Sequence, residues 1–124
     1  MTCEPGANEI TEGCFTAEAE AFAEIESMGW NALVRDIFIP ADEELHWHDF
    51  EAVVFIVSGA LRAADENGAI AEAGPGSRIR TGAGFLHREL AGAAYRAVFG
   101  FKIKLSEFTQ PINKPPSMLR EHQS

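Results

Sequence analysis

His46-Trp47-His48-Asp49-Phe50-Glu51-Ala52, running on through Val53-Val54-Phe55-Ile56-Val57-Ser58 to Gly59, sets how the whole chain is read. The run is strand-like, and side chains along a strand alternate between two faces. Both imidazoles therefore share one face, and Trp47 points to the other. Two histidines so placed are half of a metal site. Taken alone they fit equally well as hydrogen-bonded core or surface residues.

Outward from this stretch the chain is a series of short β-like runs separated by turn residues, the pattern of an all-β antiparallel sandwich or barrel. The expected strands are Ala32 to Ile39, Glu44 to His48, Ala52 to Ser58, Leu61 to Ala64, Ala69 to Ala73, Arg78 to Thr81, His87 to Ala91 and Tyr95 to Leu105. Turn chemistry lies between them at Pro40-Ala41-Asp42, Ser58-Gly59, Asp65-Glu66-Asn67-Gly68 and Gly74-Pro75-Gly76. In the last strand Tyr95, Ala97, Phe99, Phe101, Ile103 and Leu105 share one face. Ahead of the strands, Thr16 to Met28 alternates Ala and Glu around Phe22 and Ile25, which suits a short helix and also allows an edge strand.

A second stretch, Gly76-Ser77-Arg78-Ile79-Arg80-Thr81-Gly82-Ala83-Gly84-Phe85-Leu86-His87, supplies another histidine. The first stretch resembles the first cupin motif, HxH(x)3–4E(x)6G, with Gly59 in register. The second resembles the other cupin motif, G(x)5PxG(x)2H, with Gly76, Gly84 and His87 in place and Gly82 where the proline usually stands. The resemblance, from Ala32 to Leu105, implies a cupin double-stranded β-helix, a jelly-roll-like β-barrel with a short N-terminal arm or helix. It implies that His46, His48 and His87 hold one divalent transition metal in the barrel mouth. Imidazole suits iron, zinc, nickel or copper alike. The division expected is an arm over 1–29, the barrel over 30–108 and a tail over 109–124.

The sequence departs from the pattern at the carboxylate ligand, which would fall at Ala52. Glu51 stands one residue early, and a one-residue slip in a strand turns a side chain to the opposite face. A three-histidine site is expected. Three neutral imidazoles leave a divalent ion its full double charge and open positions for substrate or water. Cupins of this type resemble the thiol and diketone-cleaving dioxygenases, which implies a bidentate anionic substrate.

Parity extends the pocket. Glu89 shares the face of His87 and is the candidate catalytic acid or base, with a solvated strand carboxylate as the plainer alternative. Phe85, Tyr95, Phe99 and Phe101 are expected to form an aromatic substrate wall, although core packing explains them as well. Arg78 and Arg80 flank Ile79 and are expected on a solvated outer face. His122 lies in the polar tail and is expected at the surface. That tail, with Pro111, Pro115 and Pro116, cannot supply a central strand.

Composition narrows the function. At 124 residues, 46% hydrophobic and 23% charged, the chain suits one soluble domain. Ten Lys plus Arg against nineteen Asp plus Glu give a net charge of −9, which disfavours nucleic acid and anionic membranes as partners. No apolar run reaches a membrane span and no signal-peptide pattern opens the chain, so a cytoplasmic location is expected. Cys3 and Cys14 form neither a disulfide framework nor a redox pair. The arm from Met1 to Thr11 is expected to be loosely ordered or to cross a partner subunit, and a homodimer that covers a barrel edge is expected.

The leading reading is a small metal-binding cupin enzyme, dioxygenase-like, acting on a small chelating organic molecule. A non-catalytic binding or sensor module with a structural metal and a metal-independent isomerase-type barrel are the alternatives.

Overall fold

The computed structural model describes residues 6–108 and 112–123. The elements are β1 (Asn8–Thr11), α1 (Glu18–Ser27), β2 (Asn31–Phe38), β3 (Ala52–Asp65), β4 (Ile70–Ala73), β5 (Arg78–Thr81), β6 (His87–Glu89), β7 (Ala94–Phe101), a 3-10 turn at Leu105–Glu107 and α2 (Pro116–Gln123). All strand pairings are antiparallel. The fold is all-β, an antiparallel cupin barrel.

β3 organises the barrel because it belongs to both walls. Its first half, from Ala52 to Phe55, lies between β5 and β7. Its second half, from Leu61 to Asp65, lies between β4 and β6. The turn expected at Ser58-Gly59 is instead a bend inside one continuous strand. The register slips between Ile56 and Ser58, and Gly59 takes φ 73. A Cβ at Gly59 would collide with the Ala94 carbonyl oxygen, so glycine lets β7 close on the bend.

Two apolar layers result. Inside the barrel Ile56, Ala73, Ile79, Tyr95 and Ala97 pack together. Outside it, α1 lays Ala21 and Ile25 on Val53, Phe55 and Val98. Gly100 permits that approach, since a Cβ there would crowd Val53 and Ile25. The ambiguous Ala/Glu stretch is thus a helix, because a helix presents Ala21 and Ile25 on one face to an apolar sheet. Gly29, at φ 77, follows its end.

Four expectations change. Residues 8–11 of the arm are not loose but pair with β5 from Asn8↔Thr81 to Thr11↔Arg78. Arg78 and Arg80 do point away from the barrel interior, yet neither face is simply solvated. Arg78 meets Glu24 of α1 at 3.3 Å, and Arg80 meets Glu51 at 2.8 Å while lying 5.5 Å from the centre of the Trp30 ring. The last strand stops at Phe101, so Ile103 and Leu105 leave its alternation. Glu44 to His48 makes isolated bridges, His46↔His87 and Trp47↔Lys114, rather than a full strand. The tail enters there, as a one-residue partner for Trp47. Met1–Pro5, with Cys3, lie outside the described residues, as does the side chain of His122. Cys14 is a free thiol.

Candidate metal centre

The bridge between His46 and His87 is closed by two backbone hydrogen bonds of 2.9 Å, N–H of each to carbonyl of the other. It holds the first motif beside β6. His48 follows at the strand period, and its carbonyl accepts the Gly84 N–H at 2.9 Å. The three imidazoles meet with ring centres 4.5 to 5.2 Å apart. One nitrogen from each lies within 4.8 Å of the others. His46 is 7% exposed.

The remaining nitrogens show that the trio fits a metal. Each Nδ1 faces a backbone carbonyl, His46 that of Glu44 at 2.8 Å, His48 that of Ile112 at 2.9 Å and His87 that of Phe85 at 2.8 Å. A carbonyl only accepts, so each Nδ1 carries the proton and each Nε2 presents a lone pair. Such outer hydrogen bonds fix the ring and tautomer of metal-ligating histidines. Burial pushes the His48 pKa below its ordinary value, against the opposing Ile112 hydrogen bond. Burial likewise pushes His87 down to about 4. Both rings are neutral at pH 7, as ligands must be.

The adjoining residues Glu51 and Ala52 lie on opposite sides of the wall. Ala52 lines the cavity beside the histidines. Glu51 is 7% exposed and paired outside with Arg80 at 2.8 Å and Lys102 at 3.9 Å. The parity expectation therefore matches the geometry, and Glu51 faces away from the trio.

The cavity is about 240 Å³. Phe85, Tyr95, Phe99 and Phe101 all border it, as does Glu89. Phe85 stacks on His87 with the rings 10° from parallel. The Tyr95 hydroxyl donates to Glu89 Oε1 at 2.6 Å. Burial drives the Glu89 pKa up to about 7. Burial and the adjacent Glu89 carboxyl also raise that of Tyr95.

Sequence reasoning missed three neighbours. Phe50 stacks on His48 at 5.1 Å between ring centres and on Phe108 at 4.5 Å. Its parity with His46 and His48 was signal enough to find it. Glu43 had no such signal, because it sits before the motif. Its Oε1 lies 4.0 Å from His46 Nε2 and accepts the Glu89 N–H at 3.0 Å. The tail was the third, since it supplies Ile112 to His48 and Pro115 to Trp47, whose Nε1 donates to that carbonyl at 2.9 Å. Nothing in a proline-rich polar tail announces carbonyls.

No protein-family model matches the sequence, and no curated protein matches it. Solved structures do. A DUF861 family protein of Thermotoga maritima is 14% identical over 77% of this chain and 99% of its own, with a TM-score of 0.53. The DMSP lyase DddQ of Ruegeria pomeroyi is 21% identical over 64% of this chain, with a TM-score of 0.52, and the match spans only 41% of the lyase. The polyketide cyclase RemF of Streptomyces resistomycificus is 16% identical over 95% of this chain and 82% of its own, with a TM-score of 0.51. Identities this low speak to fold alone. The barrel, the two motifs set on it and these neighbours identify the chain as a cupin in fold, with three histidines gathered together and two of them, His48 and His87, lining its cavity.

Proposed function

We propose that the protein is a mononuclear metal-dependent cupin enzyme of dioxygenase type, acting on a small chelating organic substrate. One observation carries the reading: three histidines, each with Nδ1 tied to a carbonyl, turn their Nε2 atoms toward one another beside an aromatic-lined cavity. His46, His48 and His87 would hold the ion. When bound, the metal supplies a Lewis acid that polarises a chelating oxygen or sulfur. The chain does the rest. Phe85, Phe99 and Phe101 exclude water from the cavity, and Glu89 is the catalytic acid or base, oriented by the Tyr95 hydroxyl.

The Glu89–Tyr95 pair favours a second reading, proton abstraction without oxygen, as in a lyase or isomerase. Two neighbours bear on this: one is described as a lyase and one as a cyclase. The protein is further proposed to act in the cytoplasm as a homodimer. The edge strand β2 supports pairing, for Phe38 on it is 65% exposed.

The test is metal analysis of tag-free protein, with His46→Ala and His87→Ala as controls, followed by oxygen uptake with candidate chelators. About one ion per chain, lost in both variants, together with substrate-dependent oxygen uptake supports the reading. Turnover without oxygen uptake moves it to the lyase class. Less than ~0.1 ion per chain after reconstitution removes it, since such sites bind tightly. Among the described residues no helix is long and apolar enough to cross a membrane.

A further inference from the structure

We infer that the cavity selects a singly charged chelator with an apolar body, such as a 2-oxo carboxylate bearing a branched aliphatic tail, and rejects one that carries a second carboxylate at its far end. This rests on the reading of the three histidines as a metal centre, and it concerns the wall that faces them.

That wall comes from both halves of β3 and from its neighbours. Val54, Leu61, Ala63, Ala71, Ile79 and Phe99 line it, and none can bind an ion. Its polar groups are few, and the Asn8 amide among them is exposed and uncharged. Thr81 donates to Asn8 at 2.8 Å, and Tyr95 donates to Glu89. Among the described residues no Lys or Arg side chain borders the cavity. The basic residues nearest the barrel walls are held outside it: Arg80 and Lys102 by Glu51, Arg78 by Glu24, Arg62 by Glu72 and Arg96 by Glu18 and Asp36.

The charge balance follows. The metal would be the one positive centre facing the cavity, and a chelating carboxylate neutralises part of it. A remote second carboxylate meets aliphatic surface and no cation. Burying an uncompensated charge costs several kcal/mol, so discrimination of at least ~100-fold is expected. A branched hydrocarbon in the same place gains from burial instead. The volume of about 240 Å³ sets the scale at a small molecule rather than a polymer end.

The probes are 4-methyl-2-oxopentanoate and 2-oxoglutarate, which share the chelating head and differ at the remote end. Each is titrated calorimetrically into protein loaded with one zinc or nickel ion per chain, the loading measured separately. The expected result is at least ~100-fold tighter binding of the monoanion. Equal or tighter binding of 2-oxoglutarate overturns the inference while leaving the metal centre standing, and so does failure of both to bind the loaded protein. Failure to load overturns both readings. An Ala71→Arg variant, placed on short β4 and checked for folding by its circular dichroism melt, tests the cause. A preference narrowed by tenfold or more supports the charge argument. An unchanged preference in the folded variant overturns it.

Discussion

The Tyr95 hydroxyl donates a hydrogen bond to the Glu89 carboxylate at 2.6 Å, inside the cavity and two residues along β6 from His87. The bond favours the ionised form of Glu89 and partly opposes burial, which raises its pKa to about 7. In the metal-free protein, Tyr95→Phe is therefore expected to raise that pKa further. Carbon-detected NMR titration of the glutamate carboxyls measures it, and a downward shift would contradict the assignment.

Glu89 also links stability to pH. Its folded pKa is raised above the unfolded value of 4.5, so its contribution is complete below about pH 4.5 and is lost as pH rises through about 7. At 1.36 kcal/mol per pH unit the full effect is about 3 kcal/mol. Glu89→Gln is expected to raise the denaturation midpoint of the metal-free protein at pH 8 and to change it little at pH 4. Urea melts at the two pH values test this, and equal effects at both would refute it.

His87 acts in the opposite sense. Burial depresses its folded pKa to about 4 from 6.5, so its contribution is present above about pH 6.5 and is lost as pH falls through about 4. The loss is again about 3 kcal/mol. A His87→Gln variant of the metal-free protein should show a flatter fall in stability over that acid window. The same protons compete with a metal, so the metal-loaded wild type is expected to release its ion on acidification. Release measured with a chromophoric chelator should begin before the barrel unfolds by far-UV circular dichroism.

Glu51 and Ala52 separate by substitution. Glu51→Ala takes the 2.8 Å partner from the half-buried Arg80 guanidinium, so a loss of about 1 to 3 kcal/mol is expected with metal content unchanged. Ala52→Glu instead puts a carboxylate on the cavity side and is expected to tighten metal binding by tenfold or more. Chemical denaturation and chelator competition give the two readings. Loss of metal in folded Glu51→Ala, or an unaltered affinity in Ala52→Glu, would reverse the assignment.

The tail is expected to support the metal from outside. Removal of residues 112–124 takes away the Ile112 carbonyl that orients His48 and the Pro115 carbonyl that accepts from Trp47. Outer partners of this sort are worth about 10- to 100-fold in metal affinity. A truncated protein with the wild-type β signal and undiminished affinity would show that His48 orients without the tail.

The barrel and the trio were legible because their signals are local and periodic. His46 and His48 share a face by the strand period, and spacing alone places His87 on the second motif. The same period put Ala52 inward and Glu51 outward, as found. What could not be read is what depends on distant chain. Arg80 looks like an exposed strand residue until α1 and Trp30 cover that face. Ser58-Gly59 reads as a turn because a positive φ is the usual mark of one, whereas here it serves a bend under Ala94. The tail reaches His48 through a backbone carbonyl, which residue identity does not encode, and Glu43 reaches His46 from a loop that no strand period places.

The pairing of β2 bears on how the chain comes off the ribosome. β2 is bonded to β7 alone, from Asn31↔Phe101 to Phe38↔Ala94, so its partner emerges some sixty residues after it. β1 likewise waits for β5. Until β7 is made, Ile25 of α1 lacks the Val98 it packs against. Helix and first strands are therefore translated as unpaired segments, and the barrel closes late, in one cooperative step that follows synthesis of β7. A nascent chain stalled before Ala94 should remain protease-sensitive from end to end, and extension past Phe101 should confer resistance all at once.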